Sequence, residues 1–286
     1  MHALDSKRGA RDGEGEDEGG GRADARHQVT ASCASRVVSV AIETLKRGGK
    51  DMRAPHGALT PASGSHAMRP VRILALHGFR TCARTLDAQA RLAGWQATYG
   101  DLATFTFVNA PMVSSSGMPE EVRAFFGEEM EAREWVNARR TALGTTTYEG
   151  LEASLRTIEN ACEAEGPFDG ILGFSQGGTV AAIAMATPAL GTRFSFGIFV
   201  SGMKSRAEET AALDFGSVRA PTLHIVGKND RIVPNAVSEE LFNAMSSSER
   251  TRETHAGGHV VPKVNETGEP ILRAFLEARH REANAR

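Results

Sequence analysis

The chain has 286 residues, 41% of them hydrophobic, and its 33 Lys and Arg against 35 Asp and Glu leave a formal charge of −2. That balance supplies no basic surface for nucleic acid, and no apolar run approaches the roughly 20 residues of a membrane helix, so neither a nucleic-acid partner nor a membrane span is expected. Cys33, Cys82 and Cys162 lie far apart without metal or disulfide spacing and read as free thiols of a reducing, cytoplasmic compartment.

Residues 1–69 read as a disordered or targeting tail. The first 26 are glycine and charge, with Leu4 the only large aliphatic, and cannot bury enough surface to offset their ordering entropy. Further on, Val37, Val38, Ala41, Ile42 and Leu45 share one helical face, as in a short docking helix. The Ser, Thr and basic content there also fits an organellar transit peptide, although the acidic cluster at 14–18 opposes it. Met52 and Met68 are alternative starts.

From Pro70 the pattern changes, and residues 70–282 read as one α/β domain. Val71–Leu76 is a buried strand ending at His77-Gly78, and Thr85–Ala93 has helical spacing. Thr104–Val108 is a second strand. A long insertion over Met112–Thr147 shows no strand pattern of its own, and Tyr148–Ala164 reads as a helix. Later strands are expected around Ile171-Leu172 and at Ser195–Ser201, Pro221–Val226 and Arg250–His255, with helices at Val237–Met245 and Glu269–Ala278. Strands alternating with helices predict a mostly parallel, doubly wound sheet flanked by helices.

One stretch organises the rest. Ile171-Leu172 suits a strand buried on both faces, and Gly173-Phe-Ser-Gln-Gly177 follows as a sharp corner that opens a small-residue helix. A G-x-S-x-G in that setting is a nucleophile elbow with Ser175 at its tip. A serine hydroxyl needs a base and an orienting carboxylate, which follow in the order Ser, Asp, His in α/β-hydrolases. Asp230 lies just beyond a strand end, and His259 sits behind Gly257-Gly258. His255 is the rival base, Asp230 has a turn-forming alternative, and Ser175 could instead cap a helix. Two histidines four apart also match a zinc pair, but the two glycines break any helix between them, so no metal is expected. Backbone N–H groups of Gln176 and of Phe79 are the candidate oxyanion donors. His224 reads as a core residue and Asp169 as structural.

Leu76-His-Gly-Phe-Arg80, Phe107-Val-Asn-Ala-Pro111, the run from Gly166 through the elbow to Gly177, Val226–Pro234 and His255–Pro262 together resemble the FSH serine hydrolases, a branch of the α/β-hydrolases. The resemblance spans about residues 70–280. It implies an α/β-hydrolase fold, a triad of Ser175, Asp230 and His259, no cofactor, and a small-molecule acyl ester or thioester as partner. Asn109 and Met112 depart from residues common in that family. The insertion is expected to form the acyl pocket through Met112, Phe125, Phe126 and Trp135. The function expected is hydrolysis of a medium- or long-chain carboxylic ester through an acyl-enzyme. An acyl-thioesterase and a non-catalytic binding relative are the alternatives, and the oligomeric state stays open.

Overall fold

The computed structural model describes residues 68–126, 130–264 and 269–285, so the expected tail, with its docking helix, lies outside the described residues. Ten strands and eight α-helices are described. Six strands form the central sheet in the order β10-β9-β8-β7-β1-β2. They are β1 (Val71–Leu76), β2 (Ala103–Val108), β7 (Gly170–Phe174), β8 (Phe196–Val200), β9 (Thr222–Gly227) and β10 (Arg250–His255). Every neighbouring pair in this sheet runs parallel.

Parallel strands need crossovers, and helices supply them. These are α1 (Ala83–Leu92), α2 (Trp95–Tyr99), α3 (Glu120–Phe126) and α4 (Leu151–Ala164), then α5 (Gln176–Ala186), α6 (Pro188–Gly191), α7 (Asn235–Ala244) and α8 (Glu269–Ala285). Successive strand residues alternate between two cores, as the pleat requires. Leu74, Leu76, Ile171 and Phe199 join the core under α4, α5 and α7. Ile73, Ala75, Leu172, Ile198 and Val200 join the opposite one, under α1, α2 and α8. Both faces are covered, which is why these strands read as unbroken apolar runs. No helix among the described residues is long and apolar enough to cross a membrane.

The insertion departs from expectation. It carries four short strands, β3 (Met112–Val113) with β4 (Arg133–Glu134) and β5 (Asn137–Arg140) with β6 (Thr146–Glu149), paired antiparallel in two small ribbons. Strands of two to four residues are too short to show alternation in a sequence. Tyr148 consequently belongs to β6, and α4 begins only at Leu151, after Gly150 turns the chain at φ 85°. The last helix runs to Ala285, beyond the expected Ala278, and Asn284 accepts the Arg69 backbone N–H at 2.8 Å.

Candidate active site

β7 ends at Phe174, Ser175 makes the corner, and α5 begins at Gln176. The corner is sharp enough to hold Ser175 at φ 56°, ψ −117°, a region that a non-glycine residue occupies only at a cost of order 1–3 kcal/mol. Its glycines are there for room. A β-carbon at Gly173 would lie 2.2 Å from the Gly177 carbonyl oxygen, and one at Gly177 would lie 2.2 Å from the Leu76 carbonyl oxygen. Both distances are far inside van der Waals contact, so larger residues would force the corner open. The expectation that Ser175 stands at an elbow holds, and its side chain does not cap the helix.

Ser175 Oγ lies 2.8 Å from His259 Nε2, and His259 Nδ1 lies 2.9 Å from Asp230 Oδ2. Two loops at the ends of β9 and β10 create that line. The Lys228 N–H donates to the His255 carbonyl at 2.8 Å, the Asn229 N–H to the Gly257 carbonyl at 3.0 Å, and the Asn229 side chain to the Ala256 carbonyl at 2.7 Å. Gly227 leaves the two loops room to touch, since a β-carbon there would sit 2.2 Å from the Gly258 carbonyl oxygen. Stitched in this way, Asp230 comes to lie beneath His259. The Phe174 ring, at a centroid distance of 5.0 Å, packs on the imidazole.

Asp230 is buried and fully engaged. Its Oδ1 accepts the N–H groups of Ile232 and Val233, both at 2.9 Å. Its Oδ2 accepts from Ser201 Oγ at 2.8 Å as well as from His259. Burial alone would raise this carboxyl; the hydrogen bonds and charge of His259, with those from Val233 and Ser201, outweigh it and hold the group below its ordinary value. An ionised carboxylate is therefore available to His259. Neither Ser201 nor Phe174 is singled out by the sequence reading. The available signal for Ser201 was its position just past the C-terminal end of a parallel strand, where open α/β sheets place their functional groups.

His255, the rival base, points elsewhere. It is fully buried at the end of β10, its Nδ1 accepts the Gly257 N–H at 3.2 Å, and burial lowers it to about 4. His259, and not His255, is the histidine that meets Ser175. His224 lies mid-strand between Phe199 and Phe242, and Asp169 pairs with Arg69 at the far end of β7; both are structural.

The turn after β1 faces the elbow, with a β-carbon at Gly78 falling 3.6 Å from the Ser175 β-carbon. His77 shapes this turn. Its Nε2 accepts the Ala110 N–H at 3.0 Å, so its Nδ1 carries the proton and donates to the Gly78 carbonyl at 2.8 Å. Burial lowers His77 to about 4, assisted by Arg133, so it is neutral near pH 7. Phe79 is 48% exposed at the turn's tip, and Arg80 follows at φ 56°. The Arg80 guanidinium reaches across to the carbonyls of Gly117 at 2.6 Å and Ser116 at 2.5 Å.

Of the expected pocket residues, Trp135 is fully buried, and its indole N–H donates to the His77 carbonyl at 2.9 Å, so it props the turn from beneath. The Gln176 side chain grips the same segment: its Oε1 accepts the Trp135 N–H at 2.7 Å, and its Nε2 donates to the Val136 carbonyl at 2.8 Å. Met112 packs on Gly150 at the start of α4. Phe126 joins a small cluster with Cys82, Met118, Val122 and Ala132, and Phe125 meets it edge-on at 4.8 Å. These placements come from packing that periodicity does not encode.

A family model described as serine hydrolase (FSH1) matches residues 67–271. An esterase, OVCA2, from Xenopus tropicalis is 34% identical over 226 residues, covering 72% of this chain and 92% of its own length. Esterase C25G4.2 of Caenorhabditis elegans is 32% identical over 215 residues, covering 72% and 93%. Among solved structures, a Bacillus cereus carboxylesterase matches 76% of this chain and 92% of its own at 18% identity and a TM-score of 0.49.

Proposed function

The chain belongs to the serine hydrolase (FSH1) family, and on that premise we propose that it cleaves carboxylic esters of medium- or long-chain acyl groups through an acyl-enzyme on Ser175. One observation carries this reading: the unbroken line from Ser175 Oγ to His259 Nε2 and from His259 Nδ1 to Asp230, raised on a strained elbow. His259 takes the Ser175 proton as Oγ attacks the ester carbonyl. The tetrahedral oxyanion is held by the backbone N–H groups of Phe79 and Gln176, and His259 then returns the proton to the departing alkoxide. Water repeats the cycle on the acyl-enzyme, releasing the acid and restoring Ser175. Asp230 stays ionised throughout and stabilises the imidazolium.

The preference for longer acyl groups rests on apolar surface beside the oxyanion turn. Phe79 is 48% and Val113 is 58% exposed, and β4 joins them, since Arg133 pairs with Val113 on one side and bridges to Thr81 on the other. The curated relatives carry esterase names, which favours an oxygen ester over a thioester.

Fluorophosphonate labelling, followed by a panel of p-nitrophenyl esters of graded length, tests this function. Labelling at Ser175, absent in Ser175→Ala, is expected. With each buried methylene contributing about 0.8 kcal/mol, kcat/KM is expected to climb several-fold per two carbons and to peak at roughly C6–C12. Failure to label would mean a binding protein on this fold. Acetyl esters cleaved best, with decanoyl untouched, would mean that the insertion closes over the site.

A further inference from the structure

Ser201 stands immediately past β8, between the two halves of the candidate machinery. Its own N–H donates to the Ile225 carbonyl of β9 at 2.8 Å, and the carbonyl of the preceding Val200 accepts the Ser175 N–H at 2.8 Å. The residue is 1% exposed and adopts φ 50°, one of three non-glycine residues at positive φ among those described. Glycine would hold that backbone without strain, and Gly202 follows directly. A serine there costs strain, and what it gains is one interaction: Ser201 Oγ donates to Asp230 Oδ2 at 2.8 Å.

We infer that Ser201 is a positioning residue for the triad, a fourth member that acts on His259 through Asp230. The inference rests on the assignment of Ser175, His259 and Asp230 given above. The Asp230 carboxylate has one oxygen taken by the Ile232 and Val233 N–H groups, and the other shared between Ser201 and His259. With Oδ1 pinned to the backbone, the Ser201 hydroxyl fixes the carboxyl's rotation and leaves Oδ2 a single direction in which to accept the imidazole N–H. It also draws off part of the charge that Oδ2 presents to His259, which sets how firmly an imidazolium is held. The other titratable neighbour is His255, buried on β10 and neutral, while Lys228 and Arg231 in the Asp230 loop are exposed.

The test compares Ser201→Ala and Ser201→Gly in the full chain, with Ser175→Ala alongside, by pH–rate profiles on a p-nitrophenyl ester and by thermal melting. Alanine removes the hydroxyl and keeps the strain; glycine removes both. Each is expected to lower kcat by about tenfold with KM nearly unchanged, as for loss of one hydrogen bond to a charged group. Each is also expected to move the acid limb of kcat/KM upward by roughly half a pH unit, since the unshared carboxylate holds the imidazolium more tightly. A merely structural role would change melting without moving that limb. An acid limb that stays in place or moves down in both variants overturns the inference. So does recovery of the parent rate in Ser201→Gly alone, which would show that the position serves backbone geometry. Those results with Ser175→Ala inactive would sink only the Ser201 role, whereas full activity in Ser175→Ala would remove the triad assignment beneath it.

Discussion

At the scale of single residues, the proposed mechanism treats the three side chains as one unit. Ser175, His259 and Asp230 are each within 3 Å of the next, so losses are expected to overlap instead of summing. Ser175→Ala and His259→Ala should each lower kcat by on the order of 10⁴–10⁶, and the double substitution should be hardly worse. His255→Ala, which removes a buried ring bonded only to the Gly257 N–H among the described residues, should lower stability far more than turnover. Steady-state kinetics with melting temperatures separates the two, and equal loss of kcat at 255 and 259 would reassign the base. The sequence names Ser175 and Asp230 from local chemistry alone, through the glycines that frame one and the strand end that precedes the other. The sequence sets His259 ahead of its rival His255, and the hydrogen bonds between the two loops place one ring against Ser175 and the other in the core.

At the scale of elements, the insertion is fastened to the turn after β1 and to the elbow, besides carrying the bulky groups that read as an acyl pocket. Trp135 props the His77 carbonyl, Arg80 latches the loop at Ser116 and Gly117, and the Gln176 amide holds Trp135 and Val136 from both sides. Both candidate oxyanion donors thus belong to residues fastened to, or directly beside residues fastened to, the insertion. Gln176→Glu keeps the size and the acceptor but loses the donor to the Val136 carbonyl, leaving a buried acceptor unpaired at a cost of roughly 1–3 kcal/mol. The expected outcome is a fall in kcat of about tenfold or more as the turn and elbow lose register, with a melting point only a few degrees lower. Unchanged kcat in that variant would detach the clamp from catalysis. None of this was legible beforehand: two- to four-residue strands carry no period, and a glutamine beside a nucleophile does not announce which backbone it grips.

For the whole molecule, pH is the informative variable. Burial lowers His77 to about 4 and His224 to about 3 from an ordinary 6.5, with nearby arginines adding to the effect. Between about pH 6.5 and 4 the unfolded chain therefore binds more protons than the folded one. The stability these residues contribute is complete above that window and lost as the pH falls through it. Glu253, 2% exposed on β10, has the opposite sign, since burial raises it from 4.5 to about 7. Its share is intact near pH 4.5 and lost as the pH rises toward 7. With His255, likewise lowered to about 4 by burial, three histidines stand against one carboxyl and predict net acid destabilisation, so melting at pH 4.5 should fall below that at pH 7.5. Glu253→Gln should raise the melting temperature by a few degrees at pH 8 and change it little at pH 5. Equal destabilisation at both pH values would mean that the carboxylate makes a contact that glutamine cannot replace.

The sequence by itself determined the parallel sheet, because strands buried on both faces must be apolar throughout, and it determined the elbow, because only glycine fits where backbone meets backbone. Val71–Leu76, Ile171-Leu172 and Gly173-x-Ser175-x-Gly177 are local statements of that kind. What Trp135 supports and why a strained serine stands at 201 were decided by the tertiary structure. Each depends on groups brought together from distant parts of the chain, such as Ser201 with Asp230 or Gln176 with Trp135, and pairing at that range leaves no period or spacing in a single sequence to read.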